Sequence, residues 1–473
     1  MVCSWRCGPL ALLVYIVSDP IHVAVSLNED PKHQNEPDEN IGHRYLETDD
    51  QYVCMETPPE DVPIYVKLDE NMIKAMFPEV DWVLQGLYRL TEEEKTANLA
   101  KDLANINEQN TAYKEKKSSF FSGPTPFSIL GRPAEGSISR KKVVKVGKGQ
   151  ISQDLCNGKS NMSTDYLKKI LEEGPPPLEF HTPKTKLTDV KNQGVCNACG
   201  FFAQIAAIET GILIQNSTLI NSKVDLSEQA LLDCFVEKEH DDGCKGVRRL
   251  SAIMVYIINE RNGSLPSECQ YPYKQKQNKY ECPPVTENCI TGIQVTDYYC
   301  FEHVGQEGLM ALVATHGAVV VAIAADKLHK KYKGGIFDEC SDKGEVNHAI
   351  TIVGYGVSNK KKYWRAKNSL GENWGEDGYF RVERGNNCIR IEESALVPIL
   401  TRTNNTEQLI DCTSACETRV RISCPILILI LIVLIMIILI ILIIMACVFL
   451  PKNCAKREYN SLRRRISNDP HPN

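Results

Sequence analysis

Gln193-Gly-Val-Cys196-Asn-Ala-Cys199-Gly-Phe-Phe-Ala203 is the stretch on which the prediction of the fold depends. The apolar and small residues between Phe201 and Ile214, such as Phe202, Ala206, Ile208 and Ile212, predict a buried helix. A thiol at the start of a helix lies at the positive end of the peptide dipoles, which favours the nucleophilic thiolate. Taken alone, this Cys-x-x-Cys is equally consistent with a redox pair or with half of a zinc site.

Two downstream segments decide between these alternatives. Val346-Asn-His348 leads into an apolar run with glycines that predicts a strand, and a second predicted strand, Tyr363-Trp-Arg-Ala-Lys, ends at Asn368. A nucleophilic cysteine needs an imidazole, a side chain that orients it and donors for an oxyanion, and His348, Asn368 and Gln193 supply them. Zinc would need a second Cys-x-x-Cys or clustered histidines, and the sequence has neither. The motif also lacks the βαβ setting of a redox pair.

These motifs together resemble the papain and cathepsin family of cysteine proteases. His348 and Asn368 follow Cys199 by 149 and 169 residues, and the resemblance covers about 178–400, with a weaker extension into the preceding region. Further matching stretches are Leu226-Ser-Glu-Gln229, Tyr271-Pro-Tyr273, Gly334-Gly-Ile-Phe337 and Trp374-Gly-Glu-Asp-Gly-Tyr379. The resemblance implies an α+β fold in which a helical subdomain and a β-barrel subdomain meet at a cleft, preceded by a helical inhibitory pro-region.

The resemblance also implies an activity and the residues that carry it. The expected enzyme cleaves polypeptides and needs no metal or cofactor. An endopeptidase is favoured over a dipeptidase with an occluding loop, because no insertion with paired histidines lies between Cys244 and Cys282. Cys199 is the implied nucleophile, His348 the acid–base group, Asn368 its orienting partner and Gln193 an oxyanion donor. The implied disulfides are Cys196–Cys244, Cys234–Cys282 and Cys340–Cys388, and the implied substrate-binding residues are Gly246, Val247, Trp374 and Glu393. A carboxylate at Glu393 would admit arginine, but a solvated glutamate on the cleft rim is an equal interpretation.

Five residues depart from the family's pattern. Asn197 and Ala198 replace the Gly-Ser before the nucleophile, and Gly200 replaces the tryptophan after it. Leu370 stands where the family has a tryptophan that shields the Asn–His hydrogen bond, and Val247 replaces a glycine of the substrate-binding edge. The alternative is therefore a catalytically impaired homologue that acts as a membrane-bound binding or adhesion protein. The joint presence of the four catalytic groups favours the enzyme.

The two ends predict secretion and membrane attachment. Residues 1–26 combine one arginine, a short apolar run and a small-x-small triplet, as in a signal peptide. The predicted transmembrane helix, 425–450, includes 25 consecutive uncharged residues from Ile426, enough to cross a lipid bilayer. The basic tail, 451–473, is expected in the cytoplasm. Nineteen cysteines agree with an oxidising compartment, and a net charge of −6 argues against a nucleic-acid partner.

Between the ends the composition predicts three regions. Residues 27–174 are the expected pro-region, in which 27 to about 80 are acidic and lack periodicity, as in disordered segments. An amphipathic helix is predicted at about 91–115, and the pattern breaks into a loop around Phe120. Residues 175–400 are the expected peptidase domain, and 401–424 a polar stalk.

Several short patterns predict modification and sorting. Asn-x-Ser/Thr sequences at Asn161, Asn216, Asn262 and Asn404 are candidate glycosylation sites. Tyr459-Asn-Ser-Leu462 has the form of a signal for a sorting adaptor, which favours a lysosome or endosome over the plasma membrane. The sequence leaves open the pairing of Cys269, Cys289, Cys300, Cys412, Cys416 and Cys424.

Overall fold

The computed structural model describes residues 61–83, 85–131, 156, 160–235, 244, 246–247, 249–277, 282–285, 292–340 and 344–402. Within these residues, no helix is both long and apolar enough to cross a membrane. The predicted signal peptide, the transmembrane helix 425–450, the basic tail and almost all of the stalk lie outside them. Those predictions therefore stay predictions.

Among the described residues, four α-helices precede the peptidase region: α1 (Glu70–Met76), α2 (Glu92–Lys114), α3 (Phe127–Leu130) and α4 (Ser160–Glu173). The helix expected at about 91–115 is observed as α2. It begins with a capping box, in which Thr91 Oγ1 accepts from the Glu94 amide and the Glu94 carboxylate accepts from the Thr91 amide. The helices α1 to α3 share a separate apolar cluster, the pro-region core, formed by Leu68, Ile73, Phe77, Leu87, Leu99, Ile106, Ile129 and Leu130.

Two predictions for the pro-region were wrong in part. Residues 61–80 belong to the segment expected to be disordered, but they include α1, in which Ile73 is fully buried. Phe120–Ser122, expected in a loop, forms strand β1, which pairs with residues 332–335 far along the chain. The partner of β1 lies more than 200 residues away and leaves no local periodicity, whereas α1 is a single short helix buried by the other helices of the pro-region core.

The peptidase region combines helices with a nine-stranded sheet. The helices are α5 (Cys199–Gln215), α6 (Glu228–Cys234), α7 (Leu250–Glu260), α8 (Gly305–His316) and α9 (Asp326–Lys331). The strands after β1 are β2 (Phe180–His181), β3 (Ile293–Glu302), β4 (Val319–Ile323), β5 (Tyr332–Phe337), β6 (His348–Ser358), β7 (Lys361–Lys367), β8 (Tyr379–Glu383) and β9 (Ser394–Arg402). Their order is β1-β5-β8-β7-β6-β4-β9-β3, with β2 added on β6, and only the β5–β8 pair is parallel.

Two apolar cores correspond to the two expected subdomains. The helical core surrounds α5 and includes Phe201, Ile205, Leu231, Ile253 and Ile257. The sheet core lies between the strands and α8 and includes Ile170, Leu312, Ile352, Trp364 and Phe380. The two meet where α5 packs on β6, and there Thr351 Oγ1 donates to the Ala203 carbonyl over 2.8 Å.

A buried charge network ties the start of the peptidase region to α5. Lys191 Nζ contacts Glu209 Oε1 at 2.9 Å and Glu228 Oε1 at 2.8 Å, and both carboxylates are almost fully buried. Lys367, the last residue of β7, donates to the Thr188 carbonyl over 2.7 Å. Buried charges must be paired, so this network fixes the end of β7 relative to α5.

Four disulfides have both of their cysteines in the described part of the chain. Three of them, Cys196–Cys244, Cys234–Cys282 and Cys340–Cys388, are the pairs that the resemblance implies. The fourth joins Cys300 to Cys156, so the structure pairs one of the cysteines left open by the sequence. Cys269 is also disulfide-bonded, and in the described part of the chain Cys199 is the free cysteine.

Candidate active site

Cys199 is the first residue of α5 and is only 3% exposed. The backbone amide of Ala349, the residue after His348, faces its sulfur and favours the thiolate, as do the amides of Gly200 and Cys199 itself. Burial acts in the opposite direction and is the larger effect, so it raises the pKa of Cys199 to about 11. The thiolate expected from the helix dipole is therefore not the stable form here, and Cys199 is a neutral thiol.

His348 opens β6, and Asn368 directly follows β7. His348 Nε2 and Asn368 Oδ1 are 2.8 Å apart. An amide oxygen can only accept, so the proton of the neutral ring is on Nε2 and Nδ1 carries a free lone pair. Nδ1 is buried and has no hydrogen-bond partner in the structure. Burial lowers the pKa of His348 to about 4, against a smaller upward effect of Asn368. The imidazole is therefore neutral in this form of the protein, and Asn368 fixes its orientation.

Gln193 is held on both sides of its side-chain amide. Its Oε1 accepts from Ser369 Oγ over 2.6 Å, and its Nε2 donates to the Cys196 carbonyl over 3.0 Å. Its backbone amide also donates to the Ser369 carbonyl over 2.9 Å. Ser369 follows Asn368, so one short segment orients the imidazole partner and the Gln193 amide together. The structure thus brings Cys199, His348, Asn368 and Gln193 to one place.

Comparison with known proteins agrees with this geometry. The sequence profile of the papain family cysteine proteases matches residues 175–399. The viral cathepsin of Spodoptera litura multicapsid nucleopolyhedrovirus is 32% identical over 309 residues, which are 64% of this chain and 83% of that protein. The chain belongs to the papain family of cysteine proteases. The viral cathepsin of Bombyx mori nuclear polyhedrosis virus is 40% identical over 230 residues, 47% of this chain and 66% of that protein. The chain thus spans slightly less than two thirds of the length of that relative.

Solved structures show the same fold. The digestive procathepsin L2 proteinase from Tenebrio molitor larval midgut superposes with a TM-score of 0.55 at 24% identity, covering 68% of this chain and 99% of that one. The procathepsin L 3 of the same organism gives a TM-score of 0.52 at 23% identity, covering 68% and 98%. The papain-like α+β fold expected from the sequence is confirmed.

The departure from the papain-family pattern at Gly200 is balanced by its neighbours. A Cβ atom at Gly200 would lie 3.1 Å from Leu250 Cδ2, 3.5 Å from Ile253 Cδ1 and 3.9 Å from Val247 Cβ. These side chains already fill the space beside the helix start. Val247 is 8% exposed and belongs to the helical core, so its side chain packs inward. The two departures are thus complementary in volume.

The structure reveals a residue of the site that sequence reasoning missed. His329, in α9, is 4% exposed, and its ring stands edge-on to that of His348, with centroids 4.3 Å apart. Its other neighbour is Trp374, whose ring centroid is 5.8 Å away. Burial and the nearby His348 hold the pKa of His329 well below its usual value. The Leu328-His-Lys-Lys331 stretch carries no recognisable pattern, so no local signal singles this histidine out.

The expected substrate-binding residues differ in their exposure and contacts. Gly246 has a left-handed backbone conformation with φ of +91° and is buried beside Val247. Trp374 is 2% exposed and packs against His329, Tyr332 and Phe380. Glu393 is about one-third exposed, and its carboxylate contacts Arg390 at 2.7 Å and accepts from Asn387 Nδ2. A substrate arginine would have to compete with Arg390 for Glu393.

The candidate glycosylation sites differ in their surroundings. Asn262 is exposed, in a left-handed turn after α7. Asn216 is half-buried at the end of α5, and its Oδ1 accepts from Thr218 Oγ1 over 2.7 Å. Asn161 lies in the first turn of α4, and Asn404 lies outside the described residues. As to metals, the described residues contain no group of three or more potential ligands that could hold an ion.

Proposed function

We propose that this protein is the zymogen of a cysteine endopeptidase in which Cys199 is the nucleophile and His348 the acid–base group. The observation that carries the proposal is the His348–Asn368 hydrogen bond, which leaves Nδ1 as a lone-pair acceptor one residue from the amide that faces Cys199. The Cys199 thiol transfers its proton to His348 Nδ1, and the resulting thiolate attacks a peptide carbonyl carbon. Asn368 keeps the ring in the orientation that this transfer needs.

The remaining steps use the same groups. The tetrahedral intermediate places a negative oxygen near the Gln193 side-chain amide and the Cys199 backbone amide, which act as donors. His348 Nδ1–H then protonates the departing amine, and the acyl group remains on the Cys199 sulfur. Water, deprotonated by His348, hydrolyses this thioester and restores the thiol. Gln193 would have to exchange its hydrogen bond to the Cys196 carbonyl for one to the oxyanion.

The pro-region has contacts suited to an inhibitor. β1 pairs with β5, and Ser119 Oγ bonds to Asp338 Oδ2 over 2.7 Å. Glu79 Oε2 accepts from Asn373 Nδ2 over 2.8 Å, next to Trp374. With the pro-region in place, Cys199 and His348 are both buried and neutral. Removal of the pro-region would admit water and lower the cost of the charged thiolate–imidazolium pair.

A covalent probe tests the enzyme proposal. The full chain, produced in a secretory host and acidified to allow processing, would be treated with a thiol-directed inhibitor of papain-family proteases. We expect the label on Cys199 by mass spectrometry, none on the Cys199→Ala variant, and cleavage of a peptide blocked at both ends. A processed, folded protein that takes no label and cuts no peptide would favour the impaired homologue instead.

We further propose that the enzyme is tethered to a membrane through residues 425–450, with the peptidase domain on the lumenal side. The uncharged run from Ile426 and the basic residues after it support this topology. Alkaline carbonate should leave the full chain in the membrane pellet, whereas an Ile435→Arg/Ile438→Arg variant should be released.

Tyr459→Ala should raise the fraction of the protein at the cell surface if Tyr459–Leu462 directs endolysosomal sorting. Glycosidase treatment would show which of the four asparagines are modified.

A further inference from the structure

A covalent bond joins the peptidase domain to a segment that precedes it. Cys156 is bonded to Cys300 of β3, and both residues are almost fully buried. The papain-family match begins at residue 175, so Cys156 lies 19 residues before it. The nucleophile, its partners and the three other described disulfides all lie after that point.

The helix that follows Cys156 packs as part of the peptidase domain. Ile170 of α4 is 1% exposed and belongs to the sheet core. Ser163 is fully buried, and its Oγ accepts from the Cys300 amide over 2.9 Å. Leu167 packs closely on α8. Its Cδ2 atom lies 2.9 Å from the position that a Cβ atom at Gly308 of α8 would occupy. The helix thus fills space that the domain would otherwise expose to water.

Tyr166 strengthens the same attachment. Its ring stacks on that of Tyr299 in β3, with centroids 3.9 Å apart and planes 10° apart. Its hydroxyl is 2.8 Å from Nε2 of His316, at the end of α8. One side chain therefore connects α4 to both a strand and a helix of the domain.

The earlier part of the pro-region is attached differently. The helices α1 to α3 bury their apolar side chains in the pro-region core, separate from the two cores of the peptidase. Their link to the domain runs through the short strand β1, whose Phe120 enters the sheet core, and through polar contacts such as Glu79–Asn373. This part is therefore held to the peptidase by one short strand and by non-covalent contacts, whereas α4 adjoins the Cys156–Cys300 bond and is packed along its length on the domain.

We propose that residues 156–174 remain in the mature enzyme as a permanent element of the peptidase domain, and that the removable pro-region ends before Cys156. The inference rests on the proposed function only in requiring that the chain be processed. A cut near residue 175 alone would leave the whole preceding segment held through Cys156, so the inhibitory helices are freed only by a cut upstream of it.

Peptide mapping tests this proposal. The processed enzyme from the full chain would be alkylated and digested without reduction. We expect a mature N-terminus before Cys156 and a peptide that contains Cys156 linked to Cys300. An N-terminus at or after residue 175, with no peptide containing Cys156 recovered, would overturn the proposal. The same map of the unprocessed Cys199→Ala chain reports the bridge without any activity, so its outcome is independent of the enzyme proposal.

Two tyrosine variants provide a matched comparison. Tyr166→Ala should lower the melting temperature of the mature enzyme by about 2–6 °C, because it removes a stacked ring from a retained helix. Tyr88→Ala alters an exposed tyrosine of the removable part and should leave the mature enzyme unchanged. Equal melting temperatures for mature Tyr166→Ala and the unmodified enzyme would contradict retention of α4.

Discussion

The imidazole of His329 stands edge-on to the imidazole of His348, with ring planes 82° apart and both rings buried. Asn368 fixes one edge of the His348 ring, and His329 limits its rotation from another side. A neutral ring beside His348 tolerates the imidazolium that forms during catalysis, whereas a protonated one would repel it. His329 is therefore a positioning residue whose charge must stay at zero.

Replacement of His329 tests this role. His329→Phe keeps a ring in the site but cannot gain a charge, so we expect kcat/KM near neutral pH within a few-fold of the parent and an acid limb that moves to lower pH. His329→Ala removes the packing and should lower kcat about tenfold. The measurement is the pH profile of kcat/KM for the processed enzyme. Superimposable profiles for the parent and His329→Phe would refute a role for the charge of His329.

The oxyanion donor gives a second prediction. Gln193→Ala removes one donor, and the expected loss of kcat is about 10²- to 10³-fold with little change in KM. Gln294→Ala on β3, opposite Thr401, is the matched control and should leave both constants unchanged. Ser369→Ala removes only the hydroxyl that donates to Gln193 Oε1, so its kcat should lie between those of the other two variants. Full activity in Gln193→Ala would remove this residue from the mechanism.

The packing beside Cys199 gives a third prediction. Gly200→Trp restores the residue of the papain-family pattern but overfills the space taken by Leu250 and Ile253. We expect a loss of about 1–3 kcal/mol in the free energy of unfolding, measured in urea. Gly200→Trp combined with Leu250→Ala should recover part of this loss. A Gly200→Trp variant as stable as the parent would show that the pocket is not filled.

A fourth prediction concerns His181. Burial, with Arg365 and Arg381 nearby, lowers its pKa to about 4 in the folded chain, compared with about 6.5 in the unfolded chain. Between these pH values the unfolded state binds the extra proton, so stability falls as pH falls from about 6.5 to 4, by at most about 1.4 kcal/mol per pH unit. His181→Gln lacks this loss and should have a flatter stability–pH curve, measured on the Cys199→Ala background. Parallel stability–pH curves for His181→Gln and its parent would contradict the lowered pKa of His181.

The neutral thiol gives a fifth prediction. With a pKa of about 11, Cys199 in the unprocessed chain holds little thiolate at neutral pH. Its alkylation by iodoacetamide, followed by mass spectrometry, should be more than about a hundredfold slower than that of an ordinary exposed cysteine and should accelerate towards pH 11. The processed enzyme should react rapidly already near pH 6. Fast labelling of the unprocessed chain near pH 6 would mean that Cys199 and His348 already form a thiolate–imidazolium pair before processing.

The sequence predicted those features that a linear pattern can encode. The motifs around Cys199 and His348 carried the resemblance that implied the fold, and the capping residues at Thr91 located the start of α2. β1 and α4 were missed because their stability comes from partners far along the chain, such as β5 and Cys300. His329 was missed for the same reason, since only the tertiary structure places it against His348.

The pairing of β1 with β5 has a consequence for the enzyme once it is processed. Loss of β1 turns β5 into an edge strand whose backbone amides and carbonyls lack a neighbour on one side. Such an edge is a template for any extended polypeptide, including a second copy of the enzyme. Gly334 and Gly335 carry no side chains that would obstruct such pairing, and Lys333 is the one charged residue of β5. The processed enzyme should therefore self-associate at lower protein concentrations than the zymogen, in which β1 covers this edge.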